Sequence, residues 1–386
     1  MKIILQKKID WAYKHQNVWF PSGFWGIVYY GGLWQFYITN KIREFFDTDT
    51  VGAEWGPHNQ WSWYLGRWGQ TTEVDAPKHL LLYYLRSGSE KAFEFAESCV
   101  RFMMDVMTAH ANLPDFEPVQ TVPNWKIGGT NRQEYDPWGG GVLENHTWNE
   151  GLIDYYYLTG YRRAYDVAME MGDFALRLYG HANRIKQWRL FEKQFDRNSS
   201  GNWRILLKCY ELTGQERFKD QALKWREFYL KNSPRSYDYS TFMTLRYLVP
   251  TYELDYRLFD DDRVAEEIMK IARWSTDVME AMVESKRAHT LPKLPPELGI
   301  PGPEDPYKYG FLAPALSYDI TRGGGPLEDL LKKWWRGGLI QDYQKNNPHC
   351  TSKDDFIEMR WNEFEPLFYF LRACRDANIT EKNPPK

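Results

Sequence analysis

Three copies of one fifteen-residue pattern constrain this chain more than anything else in it: LYYLRSGSEKAFEFA from Leu82, DYYYLTGYRRAYDVA from Asp154 and KCYELTGQERFKDQA from Lys208. Tyrosine, glycine, a basic residue and alanine stay in register throughout. Each glycine (Gly88, Gly160, Gly214) ends one apolar-periodic run and precedes the next, which is where a helix closes in the left-handed conformation before a second helix begins. The pattern predicts a helical hairpin used repeatedly, hence a stacked or closed array.

The copies start 72 and then 54 residues apart, longer and less regular than solenoid periods of roughly 33 to 47 residues. Irregular spacing with long insertions favours a closed toroid. A degenerate fourth hairpin is expected from Thr241 through Asp255 into residues 262–282, and a fifth from about Pro314 through Gly323 to Gly325 into residues 327–339. Residues 31–46 and 363–376 would supply closing helices. The expected fold is therefore all-α, an (α/α)6 barrel of inner and outer helix rings. It forms a single domain over residues 1–386, with long loops at about 48–78, 110–148 and 286–310.

Net charge is -3, which leaves no electrostatic footprint for nucleic acid. The start, MKIILQKKIDW, lacks the apolar core of a secretory signal, and no stretch approaches the roughly 20 apolar residues of a membrane span. We expect a cytoplasmic protein as the chain stands, secreted if a leader preceded it. The four cysteines (Cys99, Cys209, Cys350, Cys374) have no metal spacing, so no metal and no cofactor are expected.

Aromatic residues make up 17% of the chain, with 18 Trp, although mean hydropathy is negative. Rings with polar edges suit a saccharide, which offers a C–H face for stacking and a rim of hydroxyls. Packing between helix layers accounts for many of them, Tyr83, Tyr84, Tyr155, Tyr156 and Tyr157 in particular. Tryptophans among Gly, Pro, Asn and Gln, such as Trp63, Trp138 and Trp148, fit that account less well.

Three polar, aromatic segments each lead into an expected inner helix. The first carries His58, Asn59, Gln60, Trp63, Asp75 and His79; Asp75 followed by Pro77 also reads as a helix start. The second follows an outer helix and carries His110, Arg132, Glu134, Tyr135 and Trp138. His110 equally suits a helix C-terminus, and Arg132 a surface ion pair. The third is His146, Thr147, Trp148, Asn149, Glu150, in which Thr147 to Glu150 fits a capping box before the apolar run. Tyr239 and Tyr309 are expected to face the same pocket.

The stretch HTWNEGLIDYYYLTGYRRAYDVAMEMGDF, together with EVDAPKHLLLYYLRSGSEKAF and DVMTAH upstream, resembles the α/α-toroid region of exo-acting rhamnogalacturonan lyases and related polysaccharide-degrading proteins. The resemblance spans roughly Trp55 to Leu178 and implies Asp75, His110, His146 and Glu150 as site positions. Lys78 departs from it, standing beside the proline where the family has histidine, with His79 following.

The first expectation is an enzyme degrading a uronate-containing saccharide by β-elimination. His146 or His110 would be the base, Tyr135 or one of Tyr237 and Tyr239 the acid, and Arg132, Asn149 or Gln60 would neutralise the uronate. The alternative is an inverting glycoside hydrolase using Asp75 and Glu150, with Glu134 in reserve. Further alternatives are a sugar epimerase or isomerase, on length and fold, and a non-catalytic glycan-binding toroid. In every case the partner is a carbohydrate, with no nucleic acid and no membrane.

Overall fold

A computed structural model of the protein describes residues 75–111, 127–130, 147–181, 197–233 and 239–287. These residues are helical almost throughout, and no strand occurs among them; the sole extended pairing they show is a single bridge between Thr108 and Thr130. The helices are α1 (Ala76–Ser87), α2 (Glu90–Phe102), α3 (Glu150–Thr159), α4 (Arg162–His181), α5 (Arg197–Thr213), α6 (Glu216–Asn232), α7 (Tyr239–Phe259) and α8 (Asp262–Arg287). The expected fifth hairpin and the closing helices lie outside the described residues.

The repeated glycines do what the pattern requires. Gly88, Gly160 and Gly214 have φ of 69°, 70° and 65°, and each donates its N–H at 2.8 Å to a tyrosine carbonyl four residues back (Tyr84, Tyr156, Tyr210). The hydroxyl residue before each glycine locks the corner further. Ser87, Thr159 and Thr213 each donate to the carbonyl four residues earlier at 2.7 Å and accept the N–H two residues on at 3.2 Å. Between α7 and α8 the same corner is turned by Asp260 at φ 52°, with its N–H on Tyr256 O at 2.8 Å. Asp tolerates this conformation better than most side chains, which is why the fourth copy lost its glycine signature but kept its shape.

The in-register basic residue also acquires a reason. Arg163, Arg217 and Arg263 sit in the first turn of α4, α6 and α8, three residues after the corner. Each reaches back to an acid of the preceding post-corner segment: Asp105 at 2.8 Å, Asp173 at 2.7 Å and Glu227 at 2.6 Å. These pairs are half-exposed and individually worth under about 1 kcal/mol, so they select neighbours more than they add stability.

The described residues fall into two compact units. The first contains α1 to α4 with residues 208–221. Its core is built from Leu80, Tyr83, Ala96, Val100, Leu152, Ala168, Phe174 and Phe218, all nearly inaccessible. Gly172 lets α4 approach residues 208–221, because a Cβ there would lie 2.5 Å from Cys209 Sγ. Cys99 and Cys209 are buried free thiols, and burial pushes both well up. The second unit contains residues 197–207 and 222–233 with α7 and α8. There Trp203 stacks on Tyr229 (5.4 Å, 15°) and meets Tyr252 edge-on, while buried Arg226 pairs with fully buried Asp255 at 3.3 Å.

Candidate functional site

Helix α1 starts directly after Asp75 with Pro77 in its first turn, as expected, but the Asp75 side chain makes no bond to its own helix, and the residue sits at φ 50°, ψ 57°. Its Oδ2 instead accepts the Gly151 N–H at 2.9 Å, so it caps the open first turn of α3 from another hairpin. Thr147 likewise is not the cap of α3, which starts at Glu150 after Asn149. The Thr147 hydroxyl accepts the Thr130 N–H at 3.1 Å and meets the Thr130 hydroxyl at 3.1 Å. The capping box expected from the sequence is thus replaced by two longer-range bonds.

The contact of α1 with α3 is intimate. A Cβ on Gly151 would lie 2.4 Å from Asp75 Oδ1, 2.8 Å from Lys78 N and 2.8 Å from Pro77 Cβ, so only glycine fits. One turn along α1, Lys78 Nζ pairs with a carboxylate oxygen of Glu150 at 2.6 Å, with both side chains nearly covered. Asp154 lies one turn beyond Glu150 on α3, within the electrostatic reach of Lys78 and Lys208, and Lys208 is ion-paired to Glu211.

Two of these carboxyls ride high. Burial is the main cause for Asp75, reinforced by Glu150 and opposed by the Gly151 N–H and Lys78, and it brings the group to about 7. Asp154 is raised to about 6 by burial first and Glu150 second, against Lys208 and Lys78. Asp75 Oδ1 has no hydrogen-bond partner among the described residues, as suits a carboxyl that spends part of its time protonated.

His110 is held differently. Residues 103–107 form a π-helical turn in which Thr108 donates its N–H to Met103 O rather than Met104 O. The freed Met104 carbonyl is taken by His110 Nε2, and Nδ1 faces Glu170 at 2.7 Å. Both ring nitrogens are therefore engaged, one at the carbonyl end of the π-turn and one at Glu170. This is the helix C-terminal role.

Of the other expected site residues, His79, Trp148 and Asn149 are buried, and Asn149 Nδ2 donates to Cys209 Sγ at 3.2 Å. Tyr239 is the first residue of α7 and its side chain is not among those described. His58, Asn59, Gln60, Trp63, Arg132, Glu134, Tyr135, Trp138, His146 and Tyr309 lie outside the described residues. The excursion that carries several of them is pinned on either side. Ala109 and Gly128 exchange bonds with Gly129 O and Ala109 O, and Thr130 is tied to Thr147, the residue after His146.

Asp154 and Lys208 were not singled out by the sequence patterns, and Lys78 only as a departure from the resemblance. The signal was present in the aligned copies, where Lys78 and Glu150 stand ten residues before their glycines, and Asp154 and Lys208 six. Among the described residues no group of three or more His, Cys, Asp or Glu side chains is arranged to hold a metal, and no helix is long and apolar enough to cross a membrane. Comparison with protein-family models, curated proteins and solved structures found no match.

Proposed function

We propose that this chain is a carbohydrate-active enzyme on an (α/α)6 toroid, hydrolysing a glycosidic bond with Asp75 as general acid and Glu150 as general base. The observation that carries this reading is the meeting of two carboxyls from different hairpins in unlike settings. Asp75 is pushed to about 7 and so is largely protonated just below neutrality, whereas Glu150 is salt-bridged to Lys78. A carboxyl raised to about 7 beside one held in an ion pair is the kind of unlike setting that acid and base roles demand. The aromatic content, the tryptophan-bearing loops and the resemblance to polysaccharide-degrading toroids support a saccharide as the substrate.

β-Elimination on a uronate is the second reading. It draws on Arg132, Tyr135 and His146, whose excursion is rooted at the Thr130–Thr147 contact three residues before Glu150. His110, with both nitrogens engaged, is a poor base for it.

A screen of plant and microbial oligosaccharides, followed in parallel by reducing-sugar release and by near-ultraviolet absorbance of unsaturated uronates, decides between them. Hydrolysis gives reducing ends without absorbance. Asp75→Asn and Glu150→Gln should each lower turnover by about a hundredfold or more; undiminished activity in both variants would remove the carboxylate pair from the mechanism.

A further inference from the structure

On α3, Glu150, Asp154 and Tyr157 recur at i, i+4 and i+7 and therefore form one stripe about 10 Å long, at 1.5 Å per residue. The stripe runs from the covered start of the helix to its open end. The Glu150 and Lys208 side chains are largely covered, Glu211 is partly exposed, and Tyr157 is 59% exposed as a residue. Lys208 and Glu211, one turn apart on the neighbouring segment 208–221, face the same stripe. Both act on the Tyr157 phenol, as does Asp154. Tyr157 was expected to be core filling; its ring instead stands largely in solvent beside charged groups.

Charge along this face is lopsided. Glu150, Asp154 and Glu211 contribute three carboxyls against the two ammonium groups of Lys78 and Lys208, and both ammoniums already face carboxylates, Lys78 Glu150 and Lys208 Glu211. A uronate entering here would meet excess negative charge and no uncommitted cation among the described residues. Neutral sugar hydroxyls, by contrast, donate well to carboxylates, and an exposed phenol offers a stacking plate.

We infer that the Glu150–Asp154–Tyr157 face, with Lys208 and Glu211, is a binding wall for about two uncharged sugar rings, with Tyr157 as the stacking platform at its open end. This rests on the proposed function and narrows its substrate to neutral saccharides at this wall. Titration calorimetry of the full chain at pH 7.5 with cellobiose, maltose, N,N′-diacetylchitobiose and digalacturonate tests it. At least one neutral disaccharide should bind, Tyr157→Ala should weaken it about tenfold and Tyr157→Phe should keep it, and digalacturonate should bind at least about tenfold more weakly. Equal or tighter binding of digalacturonate, no binding by any neutral probe, or unchanged affinity in Tyr157→Ala overturns the wall. Glycan turnover with an unaltered KM in Tyr157→Ala would sink the wall and leave the enzyme standing, whereas neither turnover nor binding of any saccharide removes both.

Discussion

At the scale of single residues, Gly151 is the position on which the candidate site depends most. It is the second residue of α3, where its N–H would be orphaned without Asp75, and its missing Cβ is what lets Pro77 and Lys78 approach. Helix propensity alone would make Gly151→Ala stabilising by up to about 1 kcal/mol. Contacts of 2.4 and 2.8 Å, two of the three nearest atoms belonging to backbone or ring, reverse that sign. We expect Gly151→Ala to destabilise by about 2 kcal/mol or more, read from denaturant unfolding, because α1 must move off α3. A neutral or stabilising result would mean that the Asp75 cap is loose. None of this was legible in the sequence: Asp75 beside Pro77 has the grammar of a local cap, and a bond across 76 residues leaves no local trace.

At the scale of elements the hairpins were legible, because a corner with φ near 70° selects glycine and a hydroxyl before it, and both survive as letters. What stayed hidden was anything set by the approach of two hairpins, such as the Lys78–Glu150 pair, the Thr130–Thr147 contact and the reach of each first-turn arginine to its neighbour. The π-turn at Met103–Met107 was hidden too, since Thr108 and His110 satisfy its carbonyls with side chains whose sequence signature is unremarkable. The corners make a paired prediction. Gly160 has open space around its Cβ position, so Gly160→Ala should cost only the left-handed strain, about 1 kcal/mol. Gly128 at φ 85° would put a Cβ against Glu170 O, and Gly128→Ala should cost several times more. Asp260→Gly should be neutral or stabilising by up to about 1 kcal/mol, since it restores the residue the other three corners use. Thermal unfolding of the three variants measures the order, and a Gly128→Ala protein as stable as Gly160→Ala would contradict it.

At the scale of the whole molecule the buried carboxyls set how stability responds to pH. Asp75 at about 7, Asp154 at about 6 and Asp255 at about 6 all lie above their ordinary 3.8, with burial the leading cause in each. The folded protein therefore holds protons that the unfolded chain has released between about pH 4 and 7. Stability is at its fullest below that window and declines as pH rises through these values. Glu97, Glu227 and Asp261 are shifted the other way and lend stability that is lost below about pH 4; Glu227 is exposed and the other two partly so, and solvent screening keeps their share small. The optimum should fall near pH 4, and the unfolding temperature at pH 5 should exceed that at pH 8 by several degrees. Asp75 and Asp154 belong to the first unit and Asp255 to the second, so each unit carries its own part of the decline. Asp75→Asn retains an oxygen for the Gly151 N–H but has no proton to lose, so it should remove the Asp75 part of the decline and leave the Asp154 and Asp255 contributions in place. Scanning calorimetry of wild type and Asp75→Asn from pH 4.5 to 8.5 reads both effects; a profile that climbs toward pH 8 in the wild type would mean that Asp75 is ionised throughout, and the acid role assigned to it would go with it.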